Sequence, residues 1–163
     1  MRDAVKAWAV AATGSGVPST LHALFTHRDP LAATRAAGTL LPGGRAGVVR
    51  GTLVHGLVSA GWTAALAYVD RRRPLSVRDG MAAGAAIALL DLEVVGRRKS
   101  AIRALPRGPQ WLDHLAYGAL TALALRAARA SAPAPPPRRR RGTSAARSRR
   151  GRGGAGPGRR RRA

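Results

Sequence analysis

The sequence predicts an all-α protein: a small integral membrane helical bundle of four spans, followed by a disordered arginine-rich C-terminal tail. Three observations carry this. The 163 residues hold long intervals without charge, separated by clumps of arginine. The polar residues inside those intervals make narrow stripes, where a soluble amphipathic helix would carry a broad charged face. The last 33 residues, by contrast, contain no Val, Ile, Leu, Met or aromatic at all.

The averages conceal that division. A net charge of +22 and a mean hydropathy of -0.13 describe neither part. Residues 1–130 carry 17 Lys+Arg against 7 Asp+Glu, and residues 131–163 carry 12 Arg and no acid. Lysine occurs only at Lys6 and Lys99, and Ala, Gly and Pro abound, so arginine content also reflects a GC-rich coding bias. The absence of cysteine removes disulfides, thiolate metal sites and cysteine nucleophiles.

The first span is expected over residues 7–25, a stretch with no formal charge, kinked at Pro18. Its Thr, Ser and Gly content makes it weakly apolar. A secretory signal competes for it, since Arg2 and Lys6 precede Ala7–Ala12, but an apolar core of six residues is short for that role. A soluble Ala-rich helical protein is the other alternative, because Ala and Gly hardly favour lipid. A short interfacial helix follows over residues 30–41, with Asp29 as cap, Pro30 in first position and Pro42-Gly43-Gly44 as terminator.

The second span covers residues 51–69, which are uncharged. A hydrocarbon core of about 30 Å needs roughly 20 helical residues. Thr52, His55, Ser59 and Thr63 recur every three or four residues and form one stripe, suited to facing other helices. Residues 80–96 and 111–128 give the third and fourth spans if Asp91, Glu93, Asp113 and His114 are admitted near their ends. Gly80-x-x-x-Gly84 with Ala88 puts small residues on one face of the third, which permits close packing within the chain or helix-mediated homo- or hetero-oligomers. Trp8, Tyr68 and Trp111 fall near span ends, as an aromatic belt requires, whereas Trp62 lies deeper and suits packing.

Four spans place both termini on one side. Up to Arg129 the basic residues divide 8 against 9 between the two sides; with the tail the division is 20 against 9. The positive-inside rule then places the protein in the cell membrane, multi-pass, with both termini cytoplasmic.

Folding the chain into spans also gathers its polar residues. His55 opens the second span, Asp91 closes the third and His114 opens the fourth, so all three share one membrane face, roughly 4–8 Å deep. Glu93 and Asp113 stand beside them, and His22 joins if the first segment spans. Ionisable groups at such depth are costly and pair across the bundle interior. Asp91 beside a histidine suits a proton relay, because imidazole titrates near neutrality. Interhelical hydrogen bonding that only holds the bundle accounts for the same residues. A metal site is disfavoured, since no span holds a His-x-x-x-His pair and His22 and His27 have the wrong helical separation.

In the tail, Arg138, Arg139, Arg140 and Arg141 follow a proline run, and Arg159, Arg160, Arg161 and Arg162 lie at the far end. Such a segment binds polyanions. Anionic membrane lipid is the nearest partner, and nucleic acid is disfavoured because no aromatic stands there to stack bases. No enzyme signature is present and no cofactor is implied: there is no Gly-x-Ser-x-Gly elbow or phosphate loop, and Gly14-Ser15-Gly16 lacks the strand a dinucleotide site requires.

Val54-His55-Gly56, the run Asp91–Arg98 and the run Ile102–His114 resemble a group of short, uncharacterised multi-span membrane proteins of GC-rich bacteria. Gly16–Leu21 and Asp29–Gly38 are similar to the first segment and loop of that group. The resemblance covers residues 10–120, omits the tail and implies membrane location and helical architecture, with no assigned activity. The expected role is thus a structural or accessory membrane component. The alternatives are a small proton-linked transporter using His55, Asp91 and His114, or lipid or nucleic-acid binding through the tail.

Overall fold

The computed structural model describes residues 2–131, and every regular element among them is helical. Seven α-helices are present: α1 (Arg2–Gly14), α2 (Val17–Phe25), α3 (Ala32–Ala37), α4 (Val48–Arg72), α5 (Val77–Ala88), α6 (Ser100–Arg103) and α7 (Arg107–Ala130). The tail arginines lie outside the described residues.

Four rods run alongside one another. Trp8 of α1 meets Ser59 of α4, and Ala12 meets His55, so these helices are antiparallel. Ala7 and Leu125 share one apolar cluster, and Ser19 of α2 meets Asp113 at the start of α7. The α1–α2 path is therefore antiparallel to α7 as well. Thr63 meets Tyr117 and Asp70 meets Arg129, which makes α4 and α7 parallel. Gly80 of α5 abuts Gly118, and Gly84 abuts the carbonyl of His114, again antiparallel. One end of the bundle holds the start of α1, the α4–α5 turn and the end of α7. The other holds the α2–α4 connection and the start of α7.

The tightest packing lies between α5 and α7. A Cβ added at Gly80 or Gly84 would strike main-chain carbonyls of α7, and one at Gly118 would strike α5 in return. The Gly80-x-x-x-Gly84 pair is thus used inside the chain, where small residues let two backbones touch.

Several elements depart from the sequence expectation. The first segment is two helices, broken at Ser15–Gly16 upstream of the expected kink. Pro18 sits in the first turn of α2, where its missing N–H has no helical partner to lose. The interfacial helix is shorter than residues 30–41. Asp29 Oδ1 accepts from the Leu31 N–H at 2.9 Å, a side-chain turn that holds residues 29–31 outside the helix. After α3 the chain tightens to a 3₁₀ turn over Gly38–Leu40.

The third rod begins early, at Val77, because Ser76 and Asp79 form a reciprocal capping box. It then widens into a π turn over Leu89–Val95 and a 3₁₀ turn over Gly96–Arg98. Rods two and four are longer than expected, at 25 and 24 residues. Only α4 is both long and apolar enough to cross a membrane by length and composition among the described residues.

Beside its apolar clusters the bundle buries several small polar side chains, and it leaves many large apolar ones facing outward. Its largest fully buried side chains are Thr63 and Thr121, and Ser59, Asp70 and Gln110 are also buried. Phe25 is 81% exposed, Val49 75% and Leu57 71%, and Leu21, Leu24, Leu53, Leu89 and Leu112 face outward too. In α4 only 28% of the apolar window is buried.

Candidate functional site

At the end of the bundle that holds the start of α7, the helices part around a half-open cavity of about 510 Å³. Its ionisable lining consists of His55 from α4, Asp91 from the π turn, and Asp113, His114 and Tyr117 from α7. Four of the six residues singled out from sequence in this cluster therefore share one wall system. Glu93 and His22 do not join them.

Each ionisable group is placed by an identifiable local cause. The π turn carries Asp91 into the cavity; such turns are rare and frequently occur at functional sites. Glu93, two residues on, faces away and lies 3.6 Å from Arg107 and 3.9 Å from Arg97. Arg107 also donates to the Leu92 carbonyl at 3.2 Å, tying the start of α7 to the π turn. His22, in α2, lines a smaller space of about 110 Å³ near Arg28 and Asp29. The break at Ser15–Gly16 exposes the first amides of α2, and Ser19 N–H donates to Asp113 Oδ1 at 2.9 Å.

The two histidines are held differently. His55 Nε2 lies 3.0 Å from the Ala12 carbonyl, which can only accept, so Nε2 carries a hydrogen. By the same reasoning His114 Nδ1 donates to the Gln110 carbonyl at 2.8 Å. In neutral His114 the proton is then on Nδ1 and Nε2 is bare. That bare nitrogen faces Asp91 Oδ2 at 3.7 Å. A lone pair and a carboxylate do not attract each other. The contact becomes favourable only when one proton is added to the pair, on either partner.

The floor of the cavity is Tyr117, which the sequence reading did not single out. Its hydroxyl donates to the Ser59 carbonyl at 2.5 Å and accepts from Thr63 Oγ1 at 2.6 Å. The spacing held a signal: Tyr117 stands one turn beyond His114 in an otherwise apolar run, on the same helical face. Thr121 lies one turn further on and donates to the Tyr117 carbonyl at 2.8 Å. Near the opposite end, Asp70 pairs with Arg129 and accepts from Leu75 N–H at 2.9 Å. The bundle interior thus holds polar groups near the cavity and near the far end, with apolar residues such as Leu66 and Leu125 between them. Trp8, expected in an interfacial belt, instead donates to Ser59 Oγ at 2.9 Å between α1 and α4.

Among the described residues no three His, Asp or Glu side chains converge as a metal site would require. No protein-family model, curated protein or solved structure matches the chain. The chemistry of the cavity has to be read from its own residues.

Proposed function

We propose that this chain is a multi-pass integral membrane protein of four spans that works as a small proton-linked carrier. The spans are residues 7–25, 51–69, 80–96 and 111–128, and both termini face the cytoplasm. The observation that carries the membrane setting is the outward-facing apolar surface, Leu57 and Phe25 among it, with Thr63 and Thr121 inside. In water that surface would be an aggregation hazard; in hydrocarbon it is solvated, and the small polar residues join helices.

The carrier role is supported by the Asp91–His114 pair. It stands in a cavity open at one end and gains attraction on taking up one proton. Solute entry and proton uptake would then occur in the same space. Tyr117, hydrogen-bonded to α4 on both sides, closes the floor against free leakage. The test is flux in proteoliposomes with an internal pH dye, an imposed pH gradient and a panel of small amines, acids and sugars. Solute-dependent pH change in the unaltered protein, lost in Asp91→Asn with folding intact, is the expected result. No flux with any solute in the unaltered protein overturns the carrier role.

A structural or accessory membrane role is the second reading, and one observation favours it. His55, Asp113 and His114 each hydrogen-bond to main chain, two of them across helices. Such bonds hold a bundle without moving anything. Under this reading Asp91→Asn leaves every membrane property unchanged.

A further inference from the structure

The cavity lining has a composition unlike the rest of the chain. Residues 1–130 carry 17 Lys+Arg, yet among the described residues none lines the cavity. Two carboxylates, Asp91 and Asp113, do line it, together with the aromatic side chains Trp62 and Tyr117. With both imidazoles neutral, the enclosed charge is negative inside a strongly positive protein. We propose that this cavity binds an organic cation, an amine or quaternary ammonium of modest size, between its carboxylates and its aromatic rings. This rests on the carrier reading above and names the class of solute for it.

Three features favour a cation over other ligands. Aromatic rings attract cations through their negative faces, most strongly when water is excluded. A cavity of about 510 Å³ lies within the size range of sites for small organic molecules, well above what a bare metal ion needs. An anion would meet two carboxylates and no guanidinium. The ionisable groups facing the ligand are His55 from α4, Asp91 from the π turn, and Asp113, His114 and Tyr117 from α7; α1, α2 and α3 contribute none. A proton added to the Asp91–His114 pair cancels part of the negative charge the cation would meet. Protons therefore compete with the cation, and release of one accompanies entry of the other.

The experiment is calorimetric titration of the full chain in detergent micelles. Tetraphenylphosphonium serves as the cation, and tetraphenylborate as the anion of matching shape, each against protein-free micelles as blank. Saturable 1:1 binding of the cation alone is expected, weakening as pH falls from 8 to 5. Asp91→Asn should weaken it by on the order of tenfold to a hundredfold, and the distant Arg71→Gln should not. Should Asp91→Asn fail to fold, Asp113→Asn takes its place, because its amide oxygen can still accept from Ser19. Equal binding of cation and anion, or cation binding indifferent to both carboxylates, overturns the proposal. Binding without flux in the vesicle assay would overturn the carrier role and leave the site standing. Flux of other solutes without cation binding would do the reverse.

Discussion

Gly118→Ala puts one methyl group where the structure has no room for it. The new Cβ would meet the carbonyl of Gly80 and the amide of Gly84, both main-chain atoms of α5. Neither can rotate aside, so the two helices must separate along the contact that holds them. Forcing a methyl into a packed interior costs about 1–3 kcal/mol, and rigid backbone on the far side puts this case at the upper end. Ala is also the better helix former by about 0.8–1.0 kcal/mol, which offsets part of the cost and leaves roughly 1–2 kcal/mol of destabilisation.

Gly61→Ala isolates that second contribution. Gly61 is exposed in mid-α4 with nothing within 4 Å of the added Cβ, so it should stabilise by up to about 1 kcal/mol. Gly80→Ala and Gly118→Ala press the same two backbones apart, so the double variant should cost less than their sum. Thermal unfolding in detergent, followed by loss of helical signal, reads all three. For a helical unit of this size about 1 kcal/mol corresponds to roughly 3–6 °C. A Gly118→Ala protein that melts with or above the unaltered one would refute the α5–α7 contact, and with it the placement of Asp91 against His114.

Two further expectations concern charge. Asp70 is 6% exposed, so Arg129→Gln leaves a buried carboxylate with only the Leu75 amide and should cost about 2–3 kcal/mol. Arg73→Gln, which breaks an exposed pair with Asp79, should cost much less, and chemical denaturation in detergent orders the two. Hydrogen bonds from the Ser76 hydroxyl and amide, with Arg73 nearby, hold the Asp79 carboxyl below its ordinary value of 3.8. A depressed acid contributes its stability above that value and loses it as pH falls through the lower one. A melting curve should therefore show no Asp79-dependent change from pH 7 to 5 and a loss below about pH 4 that Asp79→Asn abolishes.

The helical class and the alternating direction of the rods were legible in the sequence because both follow from where charge is absent. The meeting of His55, Asp91 and His114 followed from the same step, since alternation alone brings those span ends to one face. Boundaries were less legible. Ser76-x-x-Asp79 is a capping box written plainly in the sequence, yet it stands outside the uncharged interval that defined the third span. The π turn has no compositional mark, but the parting of Asp91 toward the cavity and Glu93 toward Arg107 was legible, because residues two apart lie on opposite faces of a helix. His22 was placed by counting along one continuous helix, and the break at Ser15–Gly16 removes that continuity. Tyr117 was passed over because a tyrosine in an apolar run reads as packing until its hydroxyl partners, Ser59 and Thr63, are brought alongside by the fold.

Whether water or hydrocarbon surrounds the bundle is decided at a residue that faces outward from it. Leu57 lies mid-way along α4 and is 71% exposed. Replacing it by lysine leaves the buried clusters intact, so most of the energetic consequence comes from the surrounding medium. If that medium is water, an exposed Leu→Lys change belongs with surface substitutions and stays within about 0.5 kcal/mol of neutral. If it is lipid, a lysine near the bilayer centre costs about 2.5–3.5 kcal/mol even on insertion scales, which already allow its side chain to reach toward the headgroups. Those values differ by enough to read as insertion or its failure. The expected outcome is that Leu57→Lys is depleted from the membrane fraction or degraded, while Thr52→Lys, nearer the end of the same helix, is inserted. A Leu57→Lys chain that accumulates in the detergent-free soluble fraction with its helical content intact would show that the outward-facing leucines and valines lie against water, and the four spans would fall with that result.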